Sequence, residues 1–275
     1  MNEYSTNTTG RNKVEFLGGM NYMVEKLVCL DMDRVLVDHL STWQFVYDQL
    51  GISNDESFEL YNQGKLDEWD WIKLDLALIK SSFEHPITDG HLRSLMEGMP
   101  MMKGWKQLID HLLSHDVNVA IVSGGLQKTA RDIAACFPSN QPWRRRWGGI
   151  DRHTAREQAG GMDSKLHVFT NGWLASTPME SGDSLINDYG RYQVQMDGKG
   201  SVVQMLQRRL NVSKEFTASV GDSSGDIGMF RESSCAILFN PWDEKPKKHA
   251  HFVIEEKDLA LVLDQVCESL SIPKP

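Results

Sequence analysis

The sequence predicts an open α/β fold, a parallel sheet flanked by helices with a helical subdomain inserted after the first strand. Three observations carry this reading. Short runs that are apolar throughout recur along the chain, amphipathic stretches separate them, and between residues 39 and 102 only helical periodicity remains. Runs without polar alternation suit strands covered on both faces, the condition of a parallel sheet. Strand then helix, repeated, is the pattern of an α/β domain.

The predicted strands are Lys26–Leu30 (KLVCL), Val117–Val122 (VNVAIV), Leu166–Phe169 (LHVF), Phe216–Val220 (FTASV), Cys235–Phe239 (CAILF) and His251–Ile254 (HFVI). Helical patterning covers Trp105–His115, Leu126–Phe137, Gly200–Leu210 and Lys257–Leu270. Within 39–102 it covers Ser41–Leu50, Asp55–Leu60, Asp67–Ile79 and Thr88–Met96. There Leu66, Trp69, Ile72, Leu76 and Ile79 recur at three- and four-residue steps, as one helix face requires. Gly51 and Pro86 break the segment into short helices. The expected organisation is a disordered tail over 1–24, an α/β core formed by 25–38 and 103–275, and a helical cap over 39–102. An irregular insertion at 138–164 carries Arg144, Arg145, Arg146, Arg152 and Arg156, either a solvated loop or a contact for an anionic partner.

The chain has 275 residues, 40% hydrophobic and 24% charged, enough to bury a substantial core without disulfides. Its 29 basic residues against 38 acidic give a net charge of −9. That balance argues against broad binding to nucleic acid or to an anionic membrane, both of which need a basic face. No run reaches the length of about 18 apolar residues that a membrane span needs. The polar N-terminus lacks the charged-then-apolar layout of a signal peptide. Cys29, Cys136, Cys235 and Cys267 are far apart, with no CxxC pair. The expectation is a reduced, cytoplasmic protein without structural zinc.

Four segments carry chemistry. LVCLDMDRVLVD places Asp31 and Asp33 at the end of the first strand, where ligands bind in open α/β sheets. Two carboxylates so close repel each other and need a cation, hydrogen bonds or a proton nearby; alone, the pair is equally an ordinary strand-to-turn feature. IVSGG ends the second strand and offers the Ser123 hydroxyl and the Gly124 N–H to an anion, although Ser-Gly-Gly is also a good turn. Lys199, in DGKGS, opens a helical stretch; its ammonium could hold a phosphate or simply lie on the surface. SVGDSSGDIGMF adds Asp222 and Asp226 at another strand's end. More carboxylates at the same sheet edge build an oxygen-only site suited to Mg²⁺, while Asp222 could instead cap a helix.

In this order, from Leu27 to about Glu256, the four segments resemble the haloacid dehalogenase superfamily of phosphohydrolases, and the cap position resembles its phosphoserine-phosphatase-like branch. The resemblance implies a Rossmann-like core and a Mg²⁺-dependent phosphomonoesterase acting on a small soluble phosphate ester through an aspartyl-phosphate. Asp31 would be the nucleophile and Asp33 the general acid and base. Asp31, the Asp33 backbone carbonyl and Asp222 would hold the metal with support from Asp226, and Ser123, Gly124 and Lys199 would bind the phosphoryl group. A phosphotransferase using the same intermediate, a signalling phosphoacceptor and a non-catalytic relative are the alternatives.

The chain departs from the branch in several places. Arg34 replaces a small residue and either reaches the substrate or faces solvent; Leu40 stands where a Glu is usual, and Gly225 where Asn is common. Lys73 falls where the branch has an Arg for the substrate carboxylate, and Lys is no equal substitute in a bidentate fork. Arg34 and Lys73 are therefore candidate substrate-binding residues, and phosphoserine itself is a doubtful substrate. Trp43, Phe45, Tyr47, Trp69 and Trp71 either pack the cap's own core or line its mouth.

Overall fold

A computed structural model describes residues 24–140 and 164–275. The expected N-terminal tail and all but the ends of the Arg-containing insertion lie outside the described residues. Seven strands form one sheet in the order β4-β3-β2-β1-β5-β6-β7. They are β1 (Leu27–Leu30), β2 (Asn118–Leu126), β3 (Leu166–Pro178), β4 (Ser184–Arg191), β5 (Thr217–Gly221), β6 (Cys235–Phe239) and β7 (Phe252–Ile254). All pairings are parallel except that of β3 with β4. The six predicted strands are all present; β4 is additional, as is the extension of β3 that pairs with it.

The apolar strands are buried because each side chain finds cover on its own face. Along β1, Val28 and Leu30 join the cluster that contains Leu108 and Leu112 of helix α5 (Trp105–Ser114), Ile133 of α6 (Gln127–Ala135) and Val262 and Val266 of α9 (Leu259–Leu270). Leu27 and Cys29 point the other way, to Val203 and Leu206 of α7 (Lys199–Leu210) and Met229 of α8 (Ile227–Arg231). Successive strand residues alternate between faces, so a two-sided core demands the unbroken apolar run. Cys29, Cys235 and Cys267 are buried free thiols and Cys136 is exposed. No helix among the described residues is long and apolar enough to cross a membrane.

Between β1 and α5 lie α1 (Thr42–Leu50), α2 (Asp55–Asn62), α3 (Glu68–Ser81) and α4 (Asp89–Leu95). Their shared cluster contains Val46, Tyr47, Ile79, Ile87 and Leu92, together with Ile186 of β4 and, partly buried, Trp173 of β3. Beneath it the Asp75 carboxylate accepts from Tyr47 Oη at 2.6 Å, Ser57 Oγ at 2.8 Å and Asn54 Nδ2 at 3.2 Å, tying the first three helices together. The four helices lie where the periodicity predicts them. The β3–β4 ribbon packs on them and bonds to them through Ile186 N–H and the Ile87 carbonyl at 3.1 Å.

Two features bring the functional segments to one edge. The strand order reverses about β1, since the chain runs outward through β2 and β3 and later through β5 and β6 on the other side. A crevice opens at such a switch point beyond the carboxyl ends of the strands. On its β5 side, α7 and α8 touch backbone to backbone: a Cβ on Gly200 would lie 2.8 Å from the Gly228 carbonyl oxygen. That approach sets the first turn of α7, and Lys199 with it. Gly200→Val is expected to lower stability by about 1–3 kcal/mol through overpacking, read as a fall in the urea midpoint.

Candidate active site

Lys199 sits at the centre of the crevice. Its buried Nζ lies 3.0 Å from Asp31 Oδ2 and 2.7 Å from Asp226 Oδ1. Asp31 leaves the end of β1 with its Oδ1 accepting from the Met32 N–H at 2.7 Å. The other oxygen of Asp226, Oδ2, accepts from the N–H groups of Asp222 (2.9 Å) and Ser223 (3.1 Å) and so folds the loop after β5 around itself. Asp31, Asp222 and Asp226 are all buried, and each offers one oxygen within 4.8 Å of the others. This donor set fits a hard divalent cation: three carboxylate oxygens, no sulfur or nitrogen, and repulsion that a cation would relieve.

The electrostatics follow from burial. Burial first, and the neighbouring charge of Asp226, push the Asp31 carboxyl above its ordinary range despite Lys199. Burial, Asp226 and Asp31 push Asp222 up likewise. Burial alone would lower the Lys199 ammonium, but Asp226 and Asp31 outweigh it and hold the lysine charged well above its usual range.

Asp33 is partly buried and points away from the triad, toward α1. Its Oδ1 accepts from the Thr42 N–H at 2.9 Å, in the first turn of that helix. Ser41 caps the same turn by accepting from the Gln44 N–H at 2.9 Å, so the donor is held rigidly. Asp33 packs against the irregular end of β2 where only glycine fits: a Cβ on Gly125 would lie 2.4 Å from Asp33 Oδ2 and 2.6 Å from Thr42 Oγ1. Burial, followed by the charge of Asp31, pushes the Asp33 carboxyl up to about 7.

Ser123 is buried at the end of β2, and its Oγ accepts from the Gly125 N–H at 3.1 Å, leaving the hydroxyl proton to donate. The same loop is tied to α1 twice, by Leu126 N–H to Thr42 Oγ1 at 2.7 Å and by Trp43 Nε1–H to the Gly124 carbonyl at 3.2 Å. Asn171 of β3 clamps the segment before Lys199: its Oδ1 accepts from Gln193 and Val194, and its Nδ2 donates to the Val194 carbonyl. On the helical side, the Glu68 carboxylate accepts from the Met196 N–H at 3.0 Å.

Asp31, Lys199, Asp222 and Asp226 thus come together, with Asp33 and the Ser123–Gly125 loop beside them. The two candidate substrate-binding cations differ in placement. Lys73 pairs with Asp70 at 2.7 Å, lies over the Trp69 ring and is partly exposed. Arg34 bonds to Asp222 at 2.8 Å, with 18% of its side chain exposed. Leu40 is 45% exposed. Gly225 passes under Met196, where a Cβ would lie 3.2 Å from the Met196 carbonyl oxygen. Among the aromatics Phe45 and Tyr47 are core, Trp71 stacks on Tyr61, and Trp43 reaches the Ser-Gly-Gly loop. Thr42, Asn171 and Glu68 were not visible as site residues because all three act on or through backbone groups. The Ser-Thr pair at the start of α1, a helix-cap signature, is the one signal that could have pointed to Thr42.

A family model described as haloacid dehalogenase-like hydrolase matches residues 195–263, the stretch holding Lys199, Asp222 and Asp226. A phosphoserine phosphatase of Wolinella succinogenes is 26% identical over 246 residues, covering 86% of this chain and 98% of that protein. One from Campylobacter jejuni subsp. doylei is 24% identical over 243 residues with the same coverage. A solved substrate-bound phosphoserine phosphatase complex shares the fold with a TM-score of 0.61 at 19% identity, covering 89% of this chain and 100% of that one. With the sheet order, motif order and carboxylate cluster established, the chain is similar to haloacid dehalogenase-like hydrolases over residues 195–263 and to phosphoserine phosphatases over most of its length.

The Asp33 shift has a testable sign. Its folded value lies above the unfolded value of about 4, so the folded state holds more protons in between, and the contribution of Asp33 to stability falls as pH rises through that window. Asp33→Asn removes this dependence. In metal-free protein the variant should gain melting temperature relative to the parent as pH rises from about 4 to about 7, then hold that difference. A difference independent of pH would contradict the assignment.

Proposed function

We propose that the protein is a Mg²⁺-dependent phosphomonoesterase that hydrolyses a small soluble phosphate ester through an aspartyl-phosphate on Asp31. The observation that carries this reading is the Lys199 ammonium bridging Asp31 and Asp226 beside Asp222, with Asp33 held apart from them on the Thr42 N–H. One carboxylate thereby faces a cation, while another is placed to carry a proton near neutral pH.

An Asp31 oxygen attacks phosphorus opposite the leaving alkoxide; the new P–O bond forms as the ester P–O bond breaks, and Asp33 gives its proton to the departing oxygen. In the second half Asp33, now a carboxylate, takes a proton from the water that attacks the aspartyl-phosphate, which frees Asp31 and releases inorganic phosphate. Ser123, the Gly124 N–H and Lys199 bind the phosphoryl oxygens and stabilise the charge they gather. Asp31, Asp222 and the Asp33 backbone carbonyl would hold Mg²⁺, with Asp226 in support; when bound, the ion neutralises phosphate charge so that an anionic carboxylate can approach. Helices α1–α4, with the β3–β4 ribbon on their flank, form the cap that excludes water and reads the leaving group.

The test is phosphate release from a panel of phosphoserine, sugar phosphates, nucleotides and phosphorylated amines, with and without Mg²⁺. Turnover that requires the metal, disappears in Asp31→Asn and slows by about 10²–10⁴-fold in Asp33→Asn is expected. Rates like the parent's in Asp31→Asn, or no release from any ester, would refute the reading. Phosphoserine leads the panel because of the relatives' names, while the exposed Leu40 and the paired Lys73 favour a different leaving group.

A further inference from the structure

Arg34 stands immediately after the two motif aspartates, and its backbone is left-handed, with φ of 61°. A residue with a Cβ there costs about 1–2 kcal/mol relative to right-handed backbone, a cost glycine escapes. The side chain makes contacts that no small residue could. Nε donates to Asp222 Oδ2 at 2.8 Å, and a terminal nitrogen donates to the Asn240 carbonyl at 2.9 Å. The guanidinium lies 4.9 Å from the centroid of the Trp242 ring. The loop after β6 answers at the backbone: Asn240 Nδ2 donates to the Arg34 carbonyl at 3.2 Å, and the Trp242 N–H donates to the Asp222 carbonyl at 2.8 Å. Asp222 is therefore held through its N–H by Asp226, through its carbonyl by Trp242 and through its carboxylate by Arg34.

We infer that Arg34 is a positioning residue for the metal: it fixes the Asp222 carboxylate in the orientation that completes the Asp31–Asp222–Asp226 oxygen set, with Asn240 and Trp242 holding its head in place. The inference rests on the Mg²⁺ reading above and assigns a role to a residue whose substitution departs from the family pattern. Two effects oppose each other. A guanidinium near the site repels a divalent ion, which would weaken binding. Fixing a ligand in advance removes the ordering cost that a free Asp222 would add at binding. The geometry favours the second, because Arg34 is itself anchored at two further points and only 18% of its side chain is exposed.

The experiment is calorimetric titration of the metal-free full-length protein with Mg²⁺, and with Mn²⁺ as a second probe, for the parent, Arg34→Ala and Arg34→Lys. Loss of a hydrogen bond that orients a ligand typically weakens metal binding by about 10–100-fold, and that range is expected for Arg34→Ala. Arg34→Lys keeps the charge but loses the planar fork, so an intermediate Kd is expected; it also serves as the measurement if the alanine variant does not fold. With Mg²⁺ raised to saturation, Arg34→Ala should recover kcat to within a few-fold, a recovery that damage to the fold would not allow. An unchanged or tighter Kd in Arg34→Ala would overturn the inference, the tighter value showing that Arg34 acts as a competing charge. If the parent takes up neither ion and Asp222→Asn matches it, the metal reading itself falls.

Discussion

The molecule depends on holding several carboxylates together, largely out of water, with too few cations among them. Asp31, Asp222 and Asp226 are buried at the carboxyl edge of the sheet, and Lys199 contacts two of them. Such an assembly is unfavourable unless nearly every oxygen has a partner. The partners come from all sides: the Met32 N–H, the N–H groups of Asp222 and Ser223, and the Arg34 guanidinium. Much of the surrounding backbone is arranged to supply them. The close contact of Gly200 with Gly228, for example, is what lets a lysine at the start of α7 reach the end of β1.

The same economy separates Asp33 from its neighbours. It lies two residues from Asp31, yet it bonds to a different element, the first turn of α1, and packs into space kept open by Gly125. Two carboxylates from one short loop are thus given unlike surroundings, one against an ammonium and the other against a neutral amide. Environment, more than residue type, divides labour between acids in a shared site.

The sheet was largely legible because its strands are apolar throughout, and only two-sided burial explains such runs. The acidic motifs were legible because each ends a strand. β4 was not: SLINDYGR mixes exposed Asp188 and Tyr189 with buried Ile186 and Gly190, and its irregular pairing with β3 breaks the alternation that would mark it. The aim of Arg34 was unreadable for another reason, since its partners lie 188 and 206 positions along the chain. A sequence shows that a cation follows the motif; only the fold shows what it meets. The bonds of Thr42 to Asp33 and of Met196 to Glu68 were unreadable because each is made by an N–H group, which every residue but proline carries.

The anchorage of α1 bears on how the enclosure can move. Thr42 and Trp43 are fastened to the end of β2 and to Asp33, so mechanically this first turn belongs to the floor of the crevice even though its chain continues into the roof. Any hinge that preserves these bonds must flex farther along the chain, beyond Trp43. A swing that carried the whole of α1 outward would strip Asp33, the proposed proton carrier, of its amide as it let solvent in, so on that proposal the compartment would be disarmed whenever it stood open.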